Sequence, residues 1–375
     1  MAQAPLVRER LCGELQQPIT ALAWSADGEF LAIASASGEL LLLDFRAGCE
    51  ELLRGERDSS LDVVGFSSDG QFLMAAGQEG ELLLWELGGT GMRPLALEPM
   101  PLGGGWIDAA AWQPGGLLLA VAVGRTLRLW DGASRSWRDP PLNLPGTILA
   151  VAWSADGVRL AASCHGELML WRPAQSPPCD PPERNAIGSA GLALGFSSPG
   201  LHLACGMLDR SLMVWPQGCH GEPWQFSGFP AKVRQLAWSD QPGRLAPLLA
   251  SAAAETVILW TQVRQGDKAW QPEPLIWHEK RVNALAFAPG STVLASASSD
   301  GTVALWNGRG RLLQPLEGQA SGFNALAWRP DGRHLAAGDA AGRWWLWPVS
   351  VPARERQRSS SGSGFGGSAT GGSGS

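Results

Sequence analysis

Apolar runs and turn residues alternate along the whole chain, and the alternation is fullest over residues 277–306. Three apolar stretches, Val282–Phe287, residues 293–297 and Thr302–Trp306, are separated there by Pro289-Gly290 and Asp300-Gly301. Each stretch is too short for a helix but has the length of a strand and turn residues at its ends, which predicts an antiparallel meander. A single meander would leave open edges and an unburied face, so the pattern demands further copies.

Those copies are present. Aligned on the aromatic that closes the first strand, the sequence divides into eight units at Trp24, Phe66, Trp112, Trp153, Phe196, Trp238, Phe287 and Trp328. The shortest interval is 41 residues (Trp112 to Trp153) and the longest 49 (Trp238 to Phe287), the period of a four-stranded propeller blade. A turn follows each aromatic (SADG, SSDG, QPGG, SADG, SSPG, SDQPG, APG, RPDG), and a third strand ends at Trp85, Trp130, Trp171, Trp215, Trp260, Trp306 or Trp347, with Leu43 in the first unit.

The residue before each first-strand aromatic is always small: Ala23, Gly65, Ala111, Ala152, Gly195, Ala237, Ala286 and Ala327. Strands that converge on a common axis crowd their neighbours, and only small side chains fit in the gap.

With this period and these tryptophans, the chain resembles the WD40 repeat family over roughly residues 6–350. The resemblance implies an all-β fold, a single closed propeller of four-stranded antiparallel blades, with eight blades expected and seven as the fallback. Fourth strands are expected at residues 51–54, 93–97, 136–142, 223–226, 270–276 and 311–316, and the proline-rich 173–182 is the poorest of the set. Residues 6–12 are expected to complete the last blade, as is common in the family, and so to remove its open edge. The propeller is assigned residues 1–350. Residues 351–375, with Arg354, Arg356 and Arg358 and then a Gly/Ser-rich run, are expected to be a disordered tail.

Family members often pin a blade with a hydrogen-bonded His, Ser or Thr, Asp and Trp. The seventh unit resembles this pattern through His278, Asp300 and Trp306, with Ser296 or Ser298 as the hydroxyl. These residues are therefore expected to be structural. Trp137, Trp224, Trp270 and Trp277 fall in or beside the outer strands, where they are expected to pack blade edges, with a lateral docking groove as the alternative.

The start of each first strand should face one flat side at the rim of the channel. Four and six residues before the aromatic, units two and three place Asp62, Trp106 and Asp108 there, units six and seven Lys232, Arg234, Arg281 and Asn283, and unit eight Asn324. An acidic and aromatic sector facing a basic one is the expected partner-binding surface.

Composition narrows the alternatives. The net charge of -6 argues against nucleic acid as a partner, and no run approaches the length of a membrane span. The opening MAQAPLVRERLC lacks a signal-type apolar core, and six cysteines form no CxxC pair, so a soluble, cytoplasmic, monomeric protein with reduced thiols is expected. Cys164, His165, Cys205, Cys219 and His220 are the only candidates for soft-metal ligation, yet they lack ligand spacing, and no cofactor is expected. GxSxG, GxxxxGK[ST] and HExxH are missing, and five His with no Tyr supply a channel mouth poorly for catalysis. A non-catalytic scaffold for one or more proteins is the resulting expectation. A propeller that carries or converts a small ligand or metal near its channel is the alternative.

Overall fold

The structure, a computed structural model, describes residues 7, 11–88, 93–103, 105–107, 109–173, 182–198, 200–216, 221–241, 246–263, 269–318 and 321–350. The expectations for Asp108, Cys219, His220 and residues 351–375 lie outside the described residues.

Every described regular element is a strand, and every strand pairing is antiparallel. Unit seven shows the plan: Val282–Phe287 pairs with Leu294–Ser298, which pairs with Thr302–Trp306, which pairs with Leu312–Glu317. Successive side chains alternate between the two faces of each sheet, and both faces are apolar because each sheet is sandwiched between two others.

The buried side chains make this visible, since each cluster joins one unit to the next. Leu40, Leu42 and Ala34 of unit one meet Leu73, Ala75 and Trp85 of unit two. Leu160, Ala162 and Met169 of unit four meet Leu118, Leu127 and Leu129 of unit three. The series ends where it began: Leu31, Ile33 and Leu41 of unit one pack with Ala336, Trp344 and Leu346 of unit eight.

The first strands carry a second, polar link between units. The indole Nε1 of Trp112 donates to the Gly65 carbonyl at 3.2 Å, Trp153 to Ala111 at 3.0 Å, Trp238 to Gly195 at 2.8 Å and Trp328 to Ala286 at 3.0 Å. Trp24 makes the same bond at 3.2 Å to Ala327, from unit one to unit eight. In each case the acceptor belongs to the small residue of the preceding unit. A Cβ on Gly195 would sit 3.4 Å from Trp238 Cδ1, which explains why only small residues occur there.

Turns between first and second strands also interlock. Gly157 has a φ of +68°, and a Cβ on it would meet the Pro114 carbonyl of the preceding unit at 2.3 Å, so glycine is required twice over. Its own carbonyl accepts from Gln113 Nε2 at 2.7 Å.

Three expectations are refined. Residues 174–181 of the expected outer strand of unit four lie outside the described residues, and among the described ones Glu183–Phe196 pairs first with His165–Trp171 and then continues as the first strand of unit five. The strand beside the last unit is Leu11–Glu14, pairing Leu11 with Leu346 and Glu14 with Arg343, where residues 6–12 were expected. In unit two the outer strand is broken into Leu95–Ala96 and Met100–Pro101, with Pro99 between them.

Trp153 is buried against Leu118, Ala120 and Ile148, so its ring and its N–H can be weighed separately. Trp153→Phe keeps a ring of the kind units two, five and seven already use, and should cost about 1 kcal/mol for the lost hydrogen bond. Trp153→Ala should cost about 3–5 kcal/mol, both read by equilibrium urea unfolding.

Candidate functional site

First strands begin at one end of the sheets, and the turns between second and third strands lie at that same end. Unit two's Leu61–Phe66 places Asp62 there, half-buried, and the loop before Ala109–Trp112 places Trp106, 56% exposed. The two meet: Trp106 Nε1 donates to Asp62 Oδ2 at 2.7 Å, and Ser60 Oγ donates to the same oxygen at 2.7 Å. Asp62 thus fixes the indole with one flank open to solvent.

The basic residues stand apart from any carboxylate. Lys232 and Arg234, just before Gln235–Trp238, are exposed and make no ion pair among the described residues, and neither does Arg281. Arg281 Nε instead donates to Asn283 Oδ1 at 2.8 Å.

The asparagines work between units. Asn283 Nδ2 donates to the Phe323 carbonyl of unit eight at 2.8 Å and to Ser299 Oγ at 2.8 Å. Asn324 Nδ2 reaches the Ile19 carbonyl of unit one at 3.3 Å, and Thr20 Oγ1 donates to the Leu61 carbonyl of unit two. One sequence position, four before the aromatic, thus clips three consecutive units to the next. Thr20 was passed over in the sequence because a short hydroxyl looks inert until a neighbour's carbonyl is placed beside it.

Apolar groups join the same end. Ile276 is 86% exposed, Trp277 42% and Leu208 45%. Of the four outer-strand tryptophans, Trp270 is buried and Trp137 and Trp224 half-buried, with Arg128 over the Trp137 ring at 4.4 Å, whereas Trp277 projects outward. The exposure of Ile276 follows from alternation at the end of Trp270–Leu275: with Leu275 inward, Ile276 faces out.

A cavity of about 280 Å³ opens at the inner strands of units three to six, and Arg234 is the one charged residue on its described wall. A larger groove of about 860 Å³ lies at the opposite end, between units one and two. Three of its carboxylates, Asp27, Asp44 and Asp69, are occupied within their own turns, accepting from Ser25 Oγ, from the Arg46 and Ala47 N–H groups and from Ser67 Oγ.

The polar network of unit seven assembles with Ser296 as its hydroxyl. Trp306 Nε1 can only donate, to Ser296 Oγ at 2.9 Å, which turns the hydroxyl proton toward His278 Nε2 at 2.8 Å. His278 therefore carries its proton on Nδ1, facing Asp300 Oδ2 at 3.0 Å. Burial pushes the His278 pKa below the usual histidine range despite the opposing pull of Asp300. Burial would raise the Asp300 pKa, but hydrogen bonds from Thr302 and Glu279 hold it below the usual carboxylate value. Ser298 bonds the Lys280 carbonyl instead.

Among the described residues no group of three or more His, Cys, Asp or Glu is placed to hold a metal. Burial pushes the Cys205 thiol up to about 12, so it stays protonated and unreactive at neutral pH.

With the geometry in place, the comparisons agree on class. The family described as "WD domain, G-beta repeat" matches residues 8–44, 273–307 and 310–347. These three stretches carry WD40 repeats, and the chain shares its fold with Chaetomium thermophilum Sqt1. It is 29% identical over 117 residues to THO complex subunit 3 of Arabidopsis thaliana, a match covering 31% of this chain and 36% of that protein. It is 24% identical over 204 residues to WD repeat-containing protein 1 of Bos taurus, covering 42% of this chain and 33% of the relative. The chain thus spans about a third of the length of these relatives. Among solved structures, Chaetomium thermophilum Sqt1 bound to the N-terminus of the ribosomal protein L10 is similar with a TM-score of 0.75 at 18% identity, covering 89% of this chain and 97% of Sqt1.

Two predictions concern the buried histidines. His278→Ala leaves the Ser296 and Trp306 pair without its partner and should lower stability by about 1–3 kcal/mol, seen as a lower Tm, with partner capture by the folded protein unchanged. His202 stacks on Trp238 at 5.7 Å with Trp270 edge-on, and burial lowers its pKa to about 4. The unfolded chain takes that proton near the ordinary histidine value, so stability is complete above about pH 6.5 and falls as pH drops toward 4. His278 and His334 act in the same direction. His202→Phe should remove on the order of 1–3 kcal/mol of that acid sensitivity, measured by urea unfolding at several pH values.

Proposed function

We propose that the protein is a non-catalytic WD40 scaffold, a closed eight-bladed ring that holds a protein partner on the face where the first strands begin. The ring is supported by the bonds and packing from unit one back to unit eight, Trp24 to Ala327 and Ile33 with Trp344, together with the Leu11–Glu14 strand beside unit eight. Residues 1–350 form that ring, with residues 351–375 as its tail.

The observation that carries the functional reading is the chemistry of the face. It exposes Trp106, Ile276 and Trp277 together with cations that make no ion pair among the described residues, Lys232, Arg234 and Arg281. Exposed aromatics and arginines are the side chains that anchor protein interfaces, and unpaired charge sets the partner's orientation. The similar fold of Sqt1, which holds the N-terminus of a ribosomal protein, and the likeness to a subunit of a complex point the same way. A monomeric ring in the cytoplasm, free of nucleic acid and membrane, completes the proposal, with the unpaired Cys164 and Cys205 thiols compatible with a reducing compartment.

Joint charge reversal, Arg234→Glu with Arg281→Glu, should weaken capture of the native partner roughly tenfold or more while leaving the Tm within a few degrees of the parent. The measurement is affinity capture from source cells with quantitative mass spectrometry of both proteins. Undiminished capture by the folded variant would move the partner to another surface.

A further inference from the structure

The cavity at the inner strands has an unusual wall. It is built from the first strands of units three to six, and apart from Arg234 and Gln235 the residues facing it are small or aliphatic, Ala110, Leu149, Ala150 and Ala193 among them. Position four before the aromatic, which clips units seven, eight and one to their neighbours, holds Leu149 and Leu192 in units four and five and Arg234 in unit six. Arg234 makes no hydrogen bond or ion pair among the described residues. Of the acids of the predicted site, Asp62 has its Oδ2 taken up by Trp106 and Ser60, and Asp108, at the same position in unit three, lies outside the described residues.

From this geometry we infer that the cavity is a socket for a carboxylate side chain, and that the partner presents an acidic peptide segment whose Asp or Glu enters the channel mouth and pairs with Arg234. The inference rests on the partner-binding reading of this face and gives that partner its chemistry. Three features select the occupant. The cavity, about 280 Å³, suits one side chain and not a cofactor. The one charge on its described wall is a guanidinium, whose planar fork matches a carboxylate with two parallel hydrogen bonds. Once a peptide covers the mouth it displaces water from the pair, so the attraction is stronger there than on an open surface. Lys232 and Arg281, unpaired on the same face, extend the positive field for flanking acids.

The test uses peptides displayed on phage and panned against the full chain, with the parent protein, Arg234→Glu, Arg234→Lys and Trp106→Ala as baits of matched Tm. The parent should enrich peptides bearing Asp or Glu at one fixed position. Arg234→Glu should bind those peptides at least about tenfold more weakly, and Arg234→Lys, which keeps the charge but loses the fork, should fall between. Changing the fixed acid to Gln or Asn in one selected peptide should reproduce the loss on the parent and have no further effect on Arg234→Glu.

Enriched peptides that need Trp106 but are indifferent to Arg234 would overturn the socket and leave the face intact. Peptides indifferent to both residues would overturn the face as well. Selected peptides without a conserved acid, or displacement of acidic peptides by single-stranded oligothymidine that depends on Arg234 and matches the peptides' affinity, would also overturn the inference, the second by making phosphate the ligand.

Discussion

The structure depends on one bond repeated between neighbours: an indole N–H reaching over to the carbonyl of a small residue in the preceding sheet. An innermost strand has a ladder partner on one side only, so its remaining backbone groups must be satisfied from elsewhere. The tryptophan supplies a donor and, with the same side chain, the apolar area that fills the wedge between two sheets. Its approach to the backbone is possible only where the neighbour carries Ala or Gly. Ring, donor and small residue therefore form one device, and a phenylalanine in units two, five and seven keeps the wedge but gives up the bond. No sheet has a core of its own; each buried cluster belongs to a pair. Stability in such an array is a sum over interfaces, and an unpaired end would expose a full apolar face.

Much of this was legible because the constraint falls on single positions at a fixed period. The aromatic, the small residue before it and the Asp-Gly or Pro-Gly turns after it can be read without knowing what they touch. Outer strands were harder to place, since they face solvent on one edge and tolerate prolines and interruptions. In unit four the described ladder begins at Glu183, and in unit two it breaks at Pro99. Ser296 against Ser298 could not be decided from spacing either. Both lie on the same face of one strand, and only the place of the Trp306 indole separates them.

The candidate face was legible in position but not in role. Counting back from the aromatic finds side chains at the rim, yet the same count collects two kinds of residue. Asn283, Asn324 and Thr20 spend their polar groups on a neighbouring unit's carbonyl, while Arg234 spends its charge on nothing described. The difference lies in reach. A short amide or hydroxyl can bridge only the gap beside it, whereas an arginine is long enough to leave the wall and stand in the opening.

A division of labour along the units follows. From seven through eight and one to two, polar clips tie each first strand to the next, and at the step from two to three the Asp62 carboxylate holds the Trp106 indole. From four to six the equivalent positions are Leu149, Leu192 and Arg234, and Leu149 and Arg234 line the cavity. Burying a partner's backbone against clipped strands would gain little, because their polar groups are already matched. At units four to six the equivalent positions carry no such clip, and a partner there would meet a guanidinium that has no partner among the described residues, which is the basis of the socket inferred above.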